Sequence, residues 1–358
     1  MKSSLFIALM STLALAISTH LSPAENQSRE DSIDALFAEF NGAATPGAAV
    51  MIIHEGKAVL TRTYGMADRE KKIPVSAATN FRLASVSKQF TAMSVLMLAE
   101  KGKLSLDDSI VKFFPEFPDY GKAITVRHLL NHTSGMPDYE DLVPEGTTLQ
   151  VTDRDVLLLV MKQPSGMFAP GAKYHYSNSA YALLSLIVEV VSGETFPAYL
   201  KRHIFSPLQM AHTLAYVPGV SSVPNRAFGF AKNKDGVAPS DQSLTSAVLG
   251  DGGIYSSLND LFHWDQALYT DKLVSRATLA KAFSSTVATD KPETGYGYGW
   301  YVGNHRGLDH VWHSGSTCGF TTRLERFPQR QFTVIILTNR RNAPLDGLAK
   351  KIADLYLF

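Results

Sequence analysis

A chain of 358 residues, 45% of them hydrophobic, can bury a large core as one big domain or two smaller ones. Charged residues make up 19% without a long run of one sign, and a net charge of +1 argues against a protein built to hold nucleic acid or a polybasic membrane patch. The single cysteine, Cys318, excludes an internal disulfide and a structural zinc site built on thiolates.

The chain opens on MKSSLFIALMSTLALAIS, with one early cation, Lys2, an apolar run from Leu5 to Ile17, and no acid before Glu25. That order predicts an export signal over residues 1–24, cut after Ala16 or nearer Ala24. The apolar run is shorter than the roughly 20 residues a spanning helix needs, so cleavage is expected over a retained N-terminal anchor, the alternative. The expected location is a bacterial periplasm or the cell exterior, with no stable membrane insertion after cleavage. Losing Lys2 leaves 33 Lys plus Arg against 33 Asp plus Glu, a neutral mature protein.

Residues 32–40 (SIDALFAEF) read as a short amphipathic helix. After Pro46-Gly47, AAVMIIHEGKAVLTRTYG places two β-rich runs around Glu55-Gly56-Lys57, a hairpin signal. From Ser85 to Gly102 apolar residues recur at helical spacing, at Val86, Phe90, Met93 and Leu96 among others. The middle, 103–289, is mostly helical patterning broken by Pro and Gly, with helices expected at 126–130, 156–161 and 180–191. GYGWYV, HVWHS, FTTRLERF and FTVIILTN then give four strands, the last two joined at Phe327-Pro328-Gln329-Arg330, and a helix over 343–358 ends the chain. The expected fold is α/β (α+β): one antiparallel sheet flanked by the N- and C-terminal helices, with a mainly helical lobe inserted in sequence. The sheet lobe takes about 30–102 and 290–358, and the cleft between the lobes is the expected substrate site.

Within FRLASVSKQF, Ser85 and Lys88 stand three apart, hence on one face of the expected helix. A plain N-cap would account for the serine alone. The lysine, one turn into an apolar helix, would lose hydration and basicity and could take the proton of a hydroxyl. Ser109 and Lys112 repeat the spacing, but behind Asp107-Asp108 in a charged segment without that support. YHYSNSAYALL holds Tyr176 and Asn178, a candidate proton shuttle and a candidate substrate-positioning amide just before a helix. HVWHSGSTCGF sets His313, Gly315 and Ser316 along a strand edge, where the Ser316 N–H could face a substrate oxyanion and Gly315 could let substrate come close. His128 and His132, spaced i, i+4, are read as structural, and Cys318 as a small buried residue. GMFAPGAK lacks the Lys-Ser or Lys-Thr of a phosphate loop, and neither a metal site nor a cofactor is expected.

In this order, Ser-x-x-Lys at a helix start, Tyr-x-Asn before a later helix and His-x-Gly on a late strand resemble the serine β-lactamase and penicillin-binding-protein family. The resemblance is to its class C branch, with D-alanyl-D-alanine carboxypeptidases, D-aminopeptidases and β-lactamase-like esterases. RHLLNHTSGMPDY, GGIYSSLNDLFHW and GYGYGW are similar to further family segments. The resemblance implies Ser85 as acylated nucleophile, Lys88 and Tyr176 as base and proton shuttle, and Asn178 as the group that positions the substrate amide and Lys88. It also implies the N–H groups of Ser85 and Ser316 as oxyanion hole, and His313 on the cleft wall where a substrate carboxylate lies. Class C β-lactamases usually carry Lys where this chain has His313, and a neutral imidazole holds a carboxylate less well. The expected activity is hydrolysis of a D-amino-acid peptide, a β-lactam or a short ester, with peptidase or esterase favoured over efficient β-lactamase. The expected partner is a small-molecule or peptide substrate. A non-catalytic cell-wall-binding protein on the same fold is the alternative.

Overall fold

The computed structural model describes residues 23–358 apart from 235; the expected signal segment lies almost wholly outside them. The N-terminal helix is longer than its apolar pattern shows: α1 spans Pro23–Leu36, and a 3-10 turn, Ala38–Phe40, follows. The hairpin forms as β1 (Ala48–His54) and β2 (Lys57–Tyr64), its turn made by Glu55 and Gly56 at φ 50° and 76°. Then come α2 (Lys88–Glu100), α3 (Val126–Leu130), α4 (Asp153–Met161) and α5 (Asn178–Ser192). The C-terminal part holds β3 (Tyr301–His305), β4 (Leu308–Thr317), β5 (Phe320–Phe327), β6 (Phe332–Thr338) and α6 (Leu345–Leu357).

Both chain ends build one sheet. Its order is Val287–Ala288, Gly295–Tyr296, β3, β4, β5, β6, β1, β2. Neighbours are antiparallel, and β1 closes on β6 from Ala48 opposite Thr338 to His54 opposite Phe332. Every residue of β5 and β6 is buried, because both sheet faces are covered. The period-2 alternation sorts the side chains. Ala48, Val50 and Ile52 face Phe37, Leu348 and Ile352 of the terminal segments. Ala49, Met51 and Ile53 join the larger core of the helical lobe. In α2 every residue from Lys88 to Leu98 is buried, so this helix is the axis of that lobe and not a surface helix. Among the described residues, no single helix is long and apolar enough to cross a membrane.

Where sheet and helical lobe meet, a buried ion pair locks them. Arg326 Nε lies 2.7 Å from Asp265 Oδ1, both side chains are fully inaccessible, and Thr333 donates to the same oxygen at 2.8 Å.

Candidate active site

Ser85 lies in a 3-10 turn, Ala84–Ser87, that runs into α2. No side chain caps the turn or the helix, so capping does not account for the Ser85 hydroxyl. Ala84 sits at φ 49°, a left-handed conformation that is uncommon for a residue with a Cβ and is held by its surroundings. A strand pairing does part of that work: Phe81–Arg82 pairs with Ile254–Ser256, and the Leu83 N–H donates to Ile254 O at 2.8 Å. From the other side, Thr322 Oγ1 donates to Leu83 O at 2.7 Å.

One turn on, Lys88 has no solvent exposure. Its amine reaches three oxygens: Ser85 Oγ at 3.2 Å, Asn178 Oδ1 at 2.8 Å and Asp251 O at 2.9 Å. The last two only accept. As an ammonium, Lys88 donates to all three. As a neutral amine it keeps those two bonds and turns its lone pair to the Ser85 O–H. The same geometry therefore serves both ends of a proton transfer. Burial pushes the amine below its ordinary pKa, against the pull of Asp251 and Asp138.

Tyr176 packs over Lys88, whose nitrogen lies 4.9 Å from the ring centroid. Burial pushes the phenol above its ordinary pKa, and the facing Ser85 hydroxyl pulls it back. The ring is backed by His132, centroids 4.3 Å apart. Asn178 is the first residue of α5, with Ser177 as cap accepting from the Ala180 N–H. Its own N–H donates to Asp138 Oδ2 at 2.6 Å, an acid where the helix dipole favours one.

The third segment is β4. Strand β3 pairs with it only as far as Trp312, so from His313 to Thr317 that edge is open. Ser314 and Ser316 are exposed along it, and a cavity of about 720 Å³ borders them, walled also by Lys291, Trp312, Arg323 and Asp346. Two expectations need correction here. Gly315 does not serve close approach of substrate: a Cβ there would lie 2.1 Å from Leu83 O and 3.0 Å from the Ala84 Cβ. The glycine lets β4 pack against the turn that carries Ser85. His313 does not line the cleft as a carboxylate partner either, being only 1% exposed. Its Nδ1 lies 2.7 Å from Ser314 O and its Nε2 3.0 Å from the Tyr296 hydroxyl. A carbonyl only accepts, so Nδ1 carries the proton and Nε2 accepts from Tyr296. Burial, then the charge of Lys88, pushes this imidazole down to about 3. It is a neutral, fully engaged support.

The structure thus brings Ser85, Lys88, Tyr176 and Asn178 together beside the strand that carries His313, Gly315 and Ser316. It leaves the other Ser-x-x-Lys pair outside. Ser109 gives its hydroxyl to the carbonyls of Gly121 and Lys122, and Lys112 pairs with Asp108 at 2.7 Å. His128 and His132 do not share a helix face, since α3 ends at Leu130 and His132 lies beyond it at φ 60°. His128 Nδ1 accepts from the Thr125 N–H, and His132 Nδ1 from the Ser177 N–H. Cys318 is partly buried in the β4–β5 turn at φ 44°. Sequence reasoning missed Asp138, Tyr139, Asp251 and Tyr296. Asp138 and Tyr139 stand in the quoted segment RHLLNHTSGMPDY, and Asp251 directly precedes GGIYSS, but nothing in their spacing marked them as site residues.

A hydroxyl and an amine on adjoining turns, faced by a phenol and an open strand edge, define the class of serine hydrolases built on the penicillin-binding-protein fold. Residues 33–357 match the family model described as beta-lactamase, and the chain belongs to that family. It is 32% identical to penicillin-binding protein 4* of Bacillus subtilis, over 89% of this chain and 73% of that one. It is 30% identical to protein flp of Staphylococcus aureus, spanning 82% of this chain and 59% of the relative. Among solved structures, a penicillin-binding protein from Bacillus halodurans superposes with a TM-score of 0.79 at 27% identity, covering 91% of this chain and 98% of that one. The D-amino acid amidase of Ochrobactrum anthropi SV3 shares the fold at TM-score 0.79 and 22% identity, over 92% and 98% of the two chains.

Proposed function

We propose that the protein is an exported hydrolase that forms an acyl-enzyme on Ser85 and acts on D-amino-acid amides or short esters, in preference to β-lactams and to peptides that end in a free carboxylate. The observation that carries this reading is the Lys88 amine held between the Ser85 hydroxyl and two fixed acceptors. Ser85 Oγ attacks the scissile carbonyl as its proton passes to Lys88. The N–H groups of Ser85 and Ser316 receive the oxyanion. The C–N or C–O bond breaks, and the leaving group takes a proton through Tyr176. Water then attacks the ester by the reverse path, releasing the acid and restoring Ser85. Of the two candidate bases, burial lowers the amine and raises the phenol. Lys88 therefore takes the first proton, and Tyr176 works as a protonated relay.

The preference for amides and esters rests on His313 and on the acids beside Asn178. A neutral, buried imidazole offers no charge to a substrate carboxylate, which β-lactams and carboxypeptidase substrates carry. Glu140 lies 3.4 Å from Asn178 Nδ2 and Asp138 binds the Asn178 N–H, a setting that favours a free ammonium near the reacting bond. A fold shared with a D-amino acid amidase agrees with that choice.

The test combines labelling with a substrate panel. A fluorophosphonate should add to the folded protein at Ser85, read by mass spectrometry of its peptides. D-phenylalanine amide and p-nitrophenyl butyrate should turn over faster than nitrocefin or a D-Ala-D-Ala peptide. No adduct in folded protein would favour a non-catalytic cell-wall-binding protein.

A further inference from the structure

Asp251 has a buried carboxylate that the mechanism above does not use. It is 7% exposed, and the Tyr139 hydroxyl donates to its Oδ2 at 2.9 Å. Its backbone carbonyl is one of the three oxygens around the Lys88 amine, at 2.9 Å. The side chain is not needed to hold that carbonyl in place. The N–H groups of Leu249 and Gly250 are already clamped by the Asp153 carboxylate at 2.8 and 2.9 Å. Thr91 donates to Gly250 O at 2.6 Å, and a Cβ on Gly250 would lie 2.3 Å from Tyr181 O, so the segment has no slack. Nor does Tyr139 require a charge, since an amide oxygen would accept its O–H equally well. A buried carboxylate is costly unless a cation compensates it. The cation present is Lys88.

We propose that Asp251 is a positioning residue that acts through Lys88, supplying the counter-charge to the ammonium that Lys88 becomes when it takes the Ser85 proton. This rests on the reading of Lys88 as the base. The groups facing Asp251 bear on the balance. Lys88 on α2 attracts it; Asp153 on α4 and Glu140 beside Tyr139 repel it; Tyr139 donates to it. Burial first, then these acids, push the carboxyl up to about 7 while Lys88 holds it down. The two groups therefore titrate as a pair.

The experiment measures the second-order rate of Ser85 labelling by a fluorophosphonate from pH 5 to 10, which needs no knowledge of the natural substrate. The rate rises as Lys88 loses its proton. In Asp251→Asn the amide keeps the shape and accepts from Tyr139, but the amine loses its anion. The rising limb should then move to lower pH by about one unit, and the plateau should fall several-fold as the base weakens. Tyr139→Phe leaves the carboxylate without its donor, and its limb should move the same way by less. Thermal melts accompany both variants. A limb that stays put in folded Asp251→Asn overturns the proposal; if that variant does not fold, an unmoved limb in Tyr139→Phe does so. Failure of the wild type to label at all overturns the hydrolase reading instead, so the two failures are distinct.

Discussion

Replacing Lys88 by Met removes the amine and leaves a flexible side chain of similar length in the same apolar slot. If the amine is the base, the loss is that of general-base catalysis, a factor of about 10² to 10⁴ in kcat/KM. At about 1.4 kcal/mol per tenfold, this is roughly 3–5 kcal/mol of transition-state stabilisation. Stability should move the other way. The folded-state pKa of Lys88 is depressed below its ordinary value, so the unfolded chain binds its proton more tightly than the folded one. As pH falls from the unfolded value toward the folded one, the wild type therefore loses stability that the Met variant keeps. Against this stand Asn178 Oδ1 and Asp251 O, which lose a donor each at about 1–3 kcal/mol per unsatisfied group. The Met variant should thus gain on the wild type as pH falls below the unfolded lysine value of about 10.4, read as the difference between their melting temperatures across that range. Lys88→Arg keeps a cation that does not deprotonate in a protein, so it should be as inactive as Met despite retaining charge. The assay is p-nitrophenyl butyrate hydrolysis beside the rate of fluorophosphonate labelling. More than a tenth of the wild-type rate in either variant refutes Lys88 as the base.

Ser85→Ala should abolish ester turnover and labelling, whereas Ser109→Ala, which only loses bonds to two carbonyls, should keep turnover within about twofold. Equal loss from both would refute the choice of serine. Gly315→Ala places a Cβ 2.1 Å from Leu83 O, so β4 must move away from the turn carrying Ser85. Its kcat should fall at least tenfold, a shift of about 1 Å at such a site being worth more than that; a kcat within twofold of wild type in a folded variant refutes the packing account. Asp265→Asn leaves the guanidinium of Arg326 buried without its anion, at a cost of about 3–5 kcal/mol. With about 2.1 cal/mol/K of unfolding entropy per residue over some 330 residues, Tm should drop by about 4–7 °C while the KM for p-nitrophenyl butyrate stays unchanged. A drop under 1 °C would show that the pair is not needed.

What could be read ahead of the structure followed from local pattern, and what could not followed from pairings too short to leave one. FTVIILTN could be read as a strand because both sheet faces are covered and every position could be apolar. Ser85 and Lys88 could be weighed against Ser109 and Lys112 because the apolar helix around the first pair foretold desolvation, and the second pair has charged neighbours. Which way a strand's residues point is a different matter. The alternation along β4 separates His313 and Gly315 from Ser314 and Ser316, but it does not say which set meets the solvent. Reading His313 as a cleft residue assumed an answer that Tyr296, seventeen positions earlier, decides by occupying its Nε2. Asp251 was hidden for a related reason. It reaches Lys88 through a two-residue pairing of Phe81–Arg82 with Ile254–Ser256, bridging more than 170 residues without periodicity or a turn signal. Short pairings of this kind contribute little stability by themselves. Here they set the distance between the base and the one buried carboxylate whose backbone it touches, and so tie the chemistry of Ser85 to a loop that local pattern could not place.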